Sequence, residues 1–293
     1  MTAAADPHQA PSVLITGATD GLGRAMGVFL AANGYRIFAA GRNAEKRASL
    51  DKLAAERNLL LETLDMDVSD DASVSRAVGR VLDRAGRIDV LINNAGVAYV
   101  AVLEELRLDD LRKQYETNVI GVLRVTQAVL PAMRERRSGR ILNMSSIAGK
   151  IASPLMGAYA SSKHALEGLS DSLRLELAPF GVRIVLIEPG FIPTNMANAS
   201  LDLSAAYAAK AEKSPYAPVY RSFRDAWRKN AGASRTTPED CARVILRAIL
   251  DSPPRPRYTV TPRARIGVFV RRLLSDRMLD KHILRSMGLD KPL

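Results

Sequence analysis

Short apolar runs alternate with longer segments of helical periodicity along the whole chain. Stretches such as residues 22–33, 44–57 and 72–85 carry apolar residues at helical spacing. Short apolar strands between helices are typical of a parallel sheet covered on both faces, and right-handed crossovers make that sheet doubly wound. The sequence therefore predicts an α/β fold with about seven strands, at Val13–Thr16, Tyr35–Ala40, Leu59–Leu64, Ile88–Ile92, Arg140–Met144, Val182–Ile187 and Tyr258–Val260.

The same pattern predicts how the chain is divided. We expect a loose tail over residues 1–10, a single domain over residues 11–262 and a basic amphipathic extension over residues 263–293. Residues 195–235 show no strand pattern and follow the sixth strand, where a lid over a ligand would lie. The proline-rich stretch Ser252–Pro256 leads into the last strand and does not divide two domains.

Charge and composition narrow the classes of function. The 293 residues carry a net charge of +11, of which residues 1–194 supply only +1 and residues 251–293 supply +6. The basic part has no helix-turn-helix, zinc or aromatic-stacking signature, so we expect no nucleic-acid partner. One cysteine and three scattered histidines predict neither an internal disulfide nor a metal site. Without a secretory signal or a membrane-spanning run, the expected location is the cytoplasm.

A glycine-rich loop follows the first predicted strand and opens a helix. In Thr16–Gly23, Gly17 permits a tight turn, Gly21 lets the backbone approach a pyrophosphate, and Gly23 allows close packing of helix on strand. Free backbone N–H groups and the helix dipole favour an anion there. The position after a strand indicates a dinucleotide site, with a plain strand–helix turn as the alternative.

A tyrosine and a lysine lie one helical turn apart at Tyr159 and Lys163. Residues four apart share a helix face, and a neighbouring ammonium lowers the pKa of a phenol from its ordinary value near 10. We therefore expect Tyr159 to exchange a proton with an alcohol or carbonyl. Ser146, 13 residues upstream, can bind the substrate oxygen. The alternative is an ordinary pair on a helix surface.

Together these motifs resemble the short-chain dehydrogenase/reductase superfamily. The glycine spacing G-x-x-x-G-x-G, the turn Asn93–Gly96 and the tyrosine–lysine pair carry the resemblance over about residues 12–195, and the layout is similar to the steroid and retinol branch. It implies a Rossmann-like catalytic domain and an NAD(P)-dependent oxidoreductase acting on CH–OH groups. The catalytic residues implied are Asn118, Ser146, Tyr159 and Lys163, with Asn118 supporting the lysine through a water.

The resemblance also implies a set of cofactor-binding residues. Asp67 and Val68 would cup the adenine, Asn93 would lie near the adenosine ribose, and the loop from Pro189 to Thr194 would hold the nicotinamide amide. The full set is Gly17, Thr19, Asp20, Gly21, Leu22, Gly23, Arg42, Asp67, Val68, Asn94, Ala95, Gly96, Tyr159, Lys163, Pro189, Gly190, Ile192 and Thr194.

The end of the second strand bears on the choice of cofactor. Arg42 stands where an NAD site usually has an acid, and arginine can bind a phosphate through two parallel hydrogen bonds. This favours NADP(H), with NAD(H) as the alternative. Asp20 counts against NADP(H), because a carboxylate near the phosphate repels it. Arg42 as a solvated surface residue is the other alternative.

The segment 195–235 bears on the substrate. It holds five of the fifteen aromatic residues, which suits an apolar lid over a bulky steroid-, retinoid- or lipid-like alcohol or ketone. The alternative, with equal weight, is that these aromatics pack the segment down. Two other functions stay open: a regulatory nucleotide-binding protein without turnover, and a lyase or epimerase on the same fold.

Residues 264–287 interleave apolar and basic positions, which predicts one basic amphipathic helix. It would lie on an anionic membrane surface as a peripheral contact, or pack over the pocket or a partner subunit. The resemblance further implies a homodimer or homotetramer paired through helices over residues 111–133 and 159–177.

Overall fold

Seven parallel strands form one sheet in the order β3-β2-β1-β4-β5-β6-β7. The computed structural model describes residues 10–194, 200 and 202–290, without the side chains of residues 230 and 231. This confirms the predicted doubly wound sheet. The strands are β1 Ser12–Ile15, β2 Arg36–Gly41, β3 Leu61–Asp65, β4 Val90–Asn93, β5 Gly139–Met144, β6 Val182–Glu188 and β7 Arg257–Thr259.

The helices connect these strands and begin at polar capping residues where the sequence supplies them. Asp20, Asn43 and Asp70 each accept a backbone N–H at a helix start, which satisfies a donor that the helix leaves free. In chain order the helices are α1 Gly21–Ala32, α2 Ala44–Glu56, α3 Asp71–Ala85, α4 Leu108–Tyr115, α5 Gly121–Glu135, α6 Gly157–Leu177, α7 Ala205–Ala208, α8 Ala217–Ala233, α9 Pro238–Leu250, α10 Pro262–Leu273 and α11 Asp276–Ser286.

Two hydrophobic clusters cover the two faces of the sheet. On one face, residues of α1 and α9 such as Leu30 and Ile245 pack on inward residues of the central strands. On the other, residues of α3 and α5 such as Val78 and Val129 do the same. Strands buried on both sides need nearly continuous apolar sequence, which explains why the runs were visible in the sequence.

The chain reverses its direction of winding between β1 and β4. Ile15 lies beside Ile92 in the parallel register, so both strands end at the same edge of the sheet. The loops that follow them therefore meet in one crevice, which is where ligands bind in open α/β sheets.

The segment after β6 is helical where the structure describes it. Residues 195–199 and 201 of the predicted lid lie outside the described part. Tyr207 and Tyr220 are buried, and their hydroxyls donate to Asp110 at 2.5 Å and Glu105 at 2.7 Å. These aromatics pack the segment onto α4 and the loop before it.

The C-terminal extension corrects one prediction. It forms two helices, α10 and α11, where one was expected, because Leu274 and Ser275 adopt extended backbone conformations between them. Ile266, Phe269 and Leu273 remain more than 60% exposed on α10. Among the described residues no helix is long and apolar enough to cross a membrane.

Candidate active site

The glycine loop is shaped by contacts with the loop after β4. Gly17 has a φ of +61°, and a Cβ there would lie 2.8 Å from the Cα of Ala95. The Oγ1 of Thr16 accepts the backbone N–H groups of Asn94 and Ala95, each at 3.0 Å. The Nδ2 of Asn94 donates back to the carbonyl oxygens of Thr16 and Gly17. The two loops therefore form one rigid cradle.

The N-terminus of α1 opens onto this cradle. Asp20 caps the helix by accepting the Gly21 N–H at 2.7 Å, and its other oxygen pairs with the ammonium of Lys46 at 2.5 Å. Asp20, whose negative charge would repel a phosphate, thus has a cation beside it. A Cβ on Gly23 would lie 2.3 Å from the Gly17 carbonyl oxygen, so Gly23 lets the helix pack and does not line the cavity.

A cavity of about 340 Å³ lies above the cradle, at the crevice between β1 and β4. Twelve of the predicted cofactor-binding residues line it: Gly17, Thr19, Asp20, Gly21, Leu22, Arg42, Asp67, Val68, Asn94, Ala95, Gly96 and Thr194. The remaining lining residues were not predicted, and they are Gly41, Asn43, Lys46, Met66, Val97 and Thr117.

Two side chains that face this cavity from β2 and β3 form an ion pair. Arg42 is 69% exposed and lies 3.2 Å from the carboxylate of Asp67. Burial tends to raise the pKa of Asp67, but hydrogen bonds from Ser69 and Arg42 outweigh it and hold that pKa below its usual value. The guanidinium is therefore anchored at the rim while most of its surface remains open to a ligand.

Three predicted residues after β6 lie outside the cavity lining. The Pro189 carbonyl oxygen accepts the Ile147 N–H at 2.9 Å, so this loop contacts the segment after β5. Gly190 approaches Thr261, and Ile192 is buried in the core. Their predicted cofactor contacts remain predictions.

The Asn93 side chain does not face the cavity, and its predicted place near the adenosine ribose stays a prediction. Its side chain is buried in the sheet and donates to Asn143 at 2.9 Å and Thr126 at 3.1 Å. It does not line the cavity. Asn93 ends β4 with its side chain turned into the interior, where a buried amide needs such partners.

Tyr159 and Lys163 stand on one face of α6 against the end of β5. The Lys163 ammonium donates to the Met144 carbonyl oxygen at 2.7 Å and lies 5.6 Å from the centre of the Tyr159 ring. Lys163 is 4% exposed. Burial lowers its pKa to about 8, although Glu167 acts in the opposite direction.

Ser146 follows β5 and faces Tyr159. It caps the short 3₁₀ turn Ile147–Gly149 by accepting the Ala148 N–H at 3.1 Å. Its side chain lies beside the Tyr159 hydroxyl and lowers the pKa of that group. The neighbouring Ser145 is buried, and within the described part of the chain its Oγ has no hydrogen-bond partner. Between the two adjacent serines, Ser146 is therefore the one that contacts the tyrosine.

Burial opposes the lowered pKa that we predict for Tyr159. Burial raises the pKa of its hydroxyl to about 12, and the hydrogen bond with Ser146 lowers it only in part. Burial penalises the charged phenolate, and a cation near the ring acts in the opposite direction. Proton exchange near neutral pH thus needs further positive charge beside the ring.

Asn118 lies in a single π-helical turn, Glu116–Ile120, between α4 and α5. Its amide accepts from the Val97 N–H and donates to the Val97 carbonyl, both at 2.9 Å, and donates to Ser162 at 3.1 Å. Such turns often occur at functional sites. Because Val97 also lines the cavity, Asn118 joins the cofactor cradle to the tyrosine–lysine helix.

Comparison with known proteins agrees with this geometry. The family model for short chain dehydrogenases matches residues 11–203. The chain belongs to the short-chain dehydrogenase family. It is 36% identical over 251 residues to oxidoreductase BOA17 of Botryotinia fuckeliana, covering 85% of this chain and 88% of that one. It is also 36% identical over 178 residues to the 3-ketodihydrosphingosine reductase of Bacteroides thetaiotaomicron, covering 61% and 62%.

Two solved structures extend the comparison. A short-chain dehydrogenase from Burkholderia phymatum in complex with NAD has a TM-score of 0.80 at 26% identity, covering 94% of this chain and 96% of that one. A gluconate 5-dehydrogenase from Burkholderia cenocepacia with NADP and tartrate has a TM-score of 0.65 at 27% identity, covering 80% and 85%. The short-chain dehydrogenase described here is thus an oxidoreductase that uses a nicotinamide cofactor.

Proposed function

We propose that this short-chain dehydrogenase transfers a hydride between NADP(H) and a bulky, apolar secondary alcohol/carbonyl pair. The observation that carries the proposal is the placement of Tyr159 beside Ser146, with the buried Lys163 ammonium 5.6 Å from the centre of the Tyr159 ring. An acid–base hydroxyl beside a hydroxyl donor is what a carbonyl oxygen requires as its charge changes.

Each side chain has a distinct part in this chemistry. Ser146 binds the substrate oxygen, and Tyr159 gives a proton to it or takes one from it. Lys163 favours the phenolate by its charge, and Asn118 fixes the backbone at Val97 and the helix at Ser162. Positioned acid–base groups of this kind contribute about 10²- to 10⁴-fold to a rate.

The cradle suits a dinucleotide, although such a group is inferred from the residues alone. Gly17 leaves no room for a side chain, and the free N–H groups at the start of α1 favour a pyrophosphate. When bound, the nicotinamide accepts or supplies the hydride, and its oxidised ring adds the positive charge that Tyr159 needs.

The rim residues favour the 2′-phosphate of NADP(H). Arg42 presents an open guanidinium, and Lys46 stands beside Asp20 at the same cavity. The Lys46 cation offsets the Asp20 charge that would repel a phosphate. The rim therefore presents arginine and lysine to the ribose without a competing free carboxylate.

An apolar substrate fits the surface near Ser146. The ring of Phe191 contacts Trp227 edge-on, with centroids 5.1 Å apart, so α8 brings aromatic surface to the loop after β6. The named relatives act on molecules as different as gluconate and a sphingoid ketone. These aromatic side chains, more than the family, support a large apolar substrate.

The C-terminal helices favour peripheral contact with an anionic membrane. Ile266, Phe269 and Leu273 form an exposed stripe on α10 at helical spacing. Gly267 of the same helix packs on Ile147, the residue after Ser146, so a lipid-like substrate would arrive close to the site. Basic residues flank the stripe, namely Arg263, Arg265, Arg271, Arg272, Arg277 and Lys281.

The experiment that tests the proposal is a cofactor-linked substrate panel. Steroids, retinoids, long-chain ketones and small polar ketones are each incubated with NADPH or NADH, and the absorbance of the reduced nicotinamide is followed. We expect turnover with large apolar ketones and a preference for NADPH. Turnover confined to small polar substrates would reject the substrate class, and product formation without net cofactor consumption would favour a lyase or epimerase.

A further inference from the structure

We propose that Glu167 is a positioning residue that keeps the Lys163 amine in its charged form. The proposal rests on the acid–base role given above to Tyr159 and Lys163. It adds to that role a buried carboxylate that touches neither substrate nor cofactor and acts only through the lysine.

The three side chains follow one another at intervals of four along α6. Tyr159, Lys163 and Glu167 therefore share one helix face, each a turn apart. Lys163 and Glu167 are only 4% and 5% exposed. A Cβ on Gly149 would contact both the Glu167 Cγ, at 3.1 Å, and the Lys163 carbonyl oxygen, at 3.2 Å. The Glu167 side chain and the Lys163 backbone thus pack against the same turn at Gly149.

Glu167 is held by two cations from other elements. The Lys150 ammonium lies 2.5 Å from its Oε2, and the Nε of Arg257 on β7 lies 3.0 Å from the same atom. Its other oxygen, Oε1, is buried and has no hydrogen-bond partner among the described residues. One oxygen of the carboxylate therefore has two cationic partners, while the other has no hydrogen-bond partner that the described residues supply.

The same two cations also face a second buried carboxylate. Glu188 on β6 lies 3.5 Å from Arg257 and 3.9 Å from Lys150, and it accepts from Thr259 at 3.0 Å. Burial raises the pKa of Glu188, and the charge of Glu167 raises it further. The charged groups of this cluster are thus Glu167, Lys150, Arg257 and Glu188, with Asp171 one turn further along α6.

The sign of the effect on Lys163 follows from its surroundings. Burial lowers the pKa of Lys163 to about 8, and Glu167 opposes that shift. Without the Glu167 charge, the lysine would lose its proton at a lower pH. Near neutral pH a smaller fraction of the enzyme would then carry the ammonium that stabilises the Tyr159 phenolate.

Variants that should move the pKa of Lys163 in opposite directions separate this electrostatic effect from a simple loss of structure. Glu167→Gln removes a negative charge near Lys163, so the lysine should titrate lower. Lys150→Gln removes a positive charge from the same cluster, so the lysine should titrate higher. Asp171→Asn is the matched control, since it loses a 2.7 Å ion pair with Arg257 but lies on the surface a further turn from Lys163. General destabilisation would not give shifts in two directions.

The test is the titration of Lys163 in the full-length chain, labelled with ¹³C at lysine and followed by NMR. The Lys163 signal is assigned by its loss in Lys163→Met. We expect Glu167→Gln to lower the midpoint by about one pH unit, a tenfold change in proton affinity. Lys150→Gln should raise the midpoint, and Asp171→Asn should leave it within about 0.3 unit. An unchanged midpoint in Glu167→Gln would overturn the proposal.

The two proposals can fail separately. If Glu167→Gln does not fold, the titration midpoint of Lys163 in Lys150→Gln is the deciding measurement. A midpoint that falls or does not move in that variant rejects the role of Glu167. Once a substrate is known, the high-pH limb of kcat for carbonyl reduction should move to lower pH in Glu167→Gln, while KM stays within about twofold. Shifts in the titration without any turnover would leave the electrostatic inference standing and reject the catalytic one.

Discussion

The face of α6 and the face of α10 use similar residue types in opposite ways. On α6, Lys163 and Glu167 are at most 5% exposed, and each contacts a polar or charged partner from another element. On α10, arginines lie in the open beside apolar side chains that are more than 60% exposed. Both helices combine apolar and charged residues, yet only one of them buries the charges.

The difference shows what burial does to a charged group. Desolvation moves the pKa of Lys163 to about 8 and that of the Tyr159 hydroxyl to about 12, so both become sensitive to each nearby charge. Exposed arginines keep their charge and act by attraction over a distance set by salt. Buried charges therefore suit chemistry at one atom, and exposed ones suit contact with a surface.

Removing the buried amine should produce the largest effect. Lys163→Met keeps the length of the side chain and loses the ammonium and its bond to the Met144 carbonyl. We expect kcat to fall by about 10³-fold, because a positioned charge acting on the acid–base group is lost. Steady-state kinetics measure this, with circular dichroism as the control for folding. A loss of less than tenfold would contradict the role of the lysine.

Filling the glycine cradle should nearly abolish cofactor binding. In Gly23→Val the new Cβ would meet the Gly17 carbonyl oxygen, so the loop must shift away from α1. NADPH affinity should fall by about 100-fold or more, corresponding to about 3 kcal/mol. Fluorescence titration with NADPH measures it. Gly79→Val, in α3, is the comparison variant, since its Cβ position is open, its backbone is helical and no part of the cradle depends on it.

The rim cations should show a smaller, cofactor-specific effect. Arg42→Ala and Lys46→Ala should each raise the KM for NADPH by about tenfold, since a phosphate loses one charged partner. The KM for NADH should change by less than about twofold, because it lacks that phosphate. Equal effects on both cofactors would mean that these side chains do not recognise the 2′-phosphate.

A substitution in the exposed stripe of α10 should have the smallest effect on stability, and it should weaken binding to a membrane. Phe269→Ser removes a side chain that is 62% exposed, so we expect a change below about 0.5 kcal/mol in unfolding free energy. Leu142→Ala, in the buried core, should cost about 2–5 kcal/mol. Sedimentation with phosphatidylserine vesicles should fall in Phe269→Ser. Equal sedimentation of the variant, or none for the original chain, would reject the membrane contact.

The sequence predicted the features that depend on local pattern. The inner strands are largely buried and need nearly continuous apolar runs, and all seven strands, including the less buried edge strands β3 and β7, were located to within about two residues. The glycine loop and the tyrosine–lysine pair were also visible, because each is defined by spacing within a few residues of chain.

The features that were missed depend on burial or on distant contacts. Lys46 reaches the cavity only because α2 starts beside Asp20, 26 residues away in sequence. Spacing reveals the charged neighbour of Tyr159 but not the burial that raises the pKa of its hydroxyl. The break between α10 and α11 at Leu274 interrupts a regular amphipathic pattern, and no proline or glycine marks it in the sequence.

The central claim is that the Tyr159 hydroxyl carries the proton in a nicotinamide-dependent reaction. It is tested most directly by comparing Tyr159→Phe with the original chain for both turnover and NADPH binding in the same preparation. We predict a fall in kcat of at least about 10³-fold with an NADPH dissociation constant within about threefold. Turnover within tenfold of the original, with the cofactor still bound, would contradict the account.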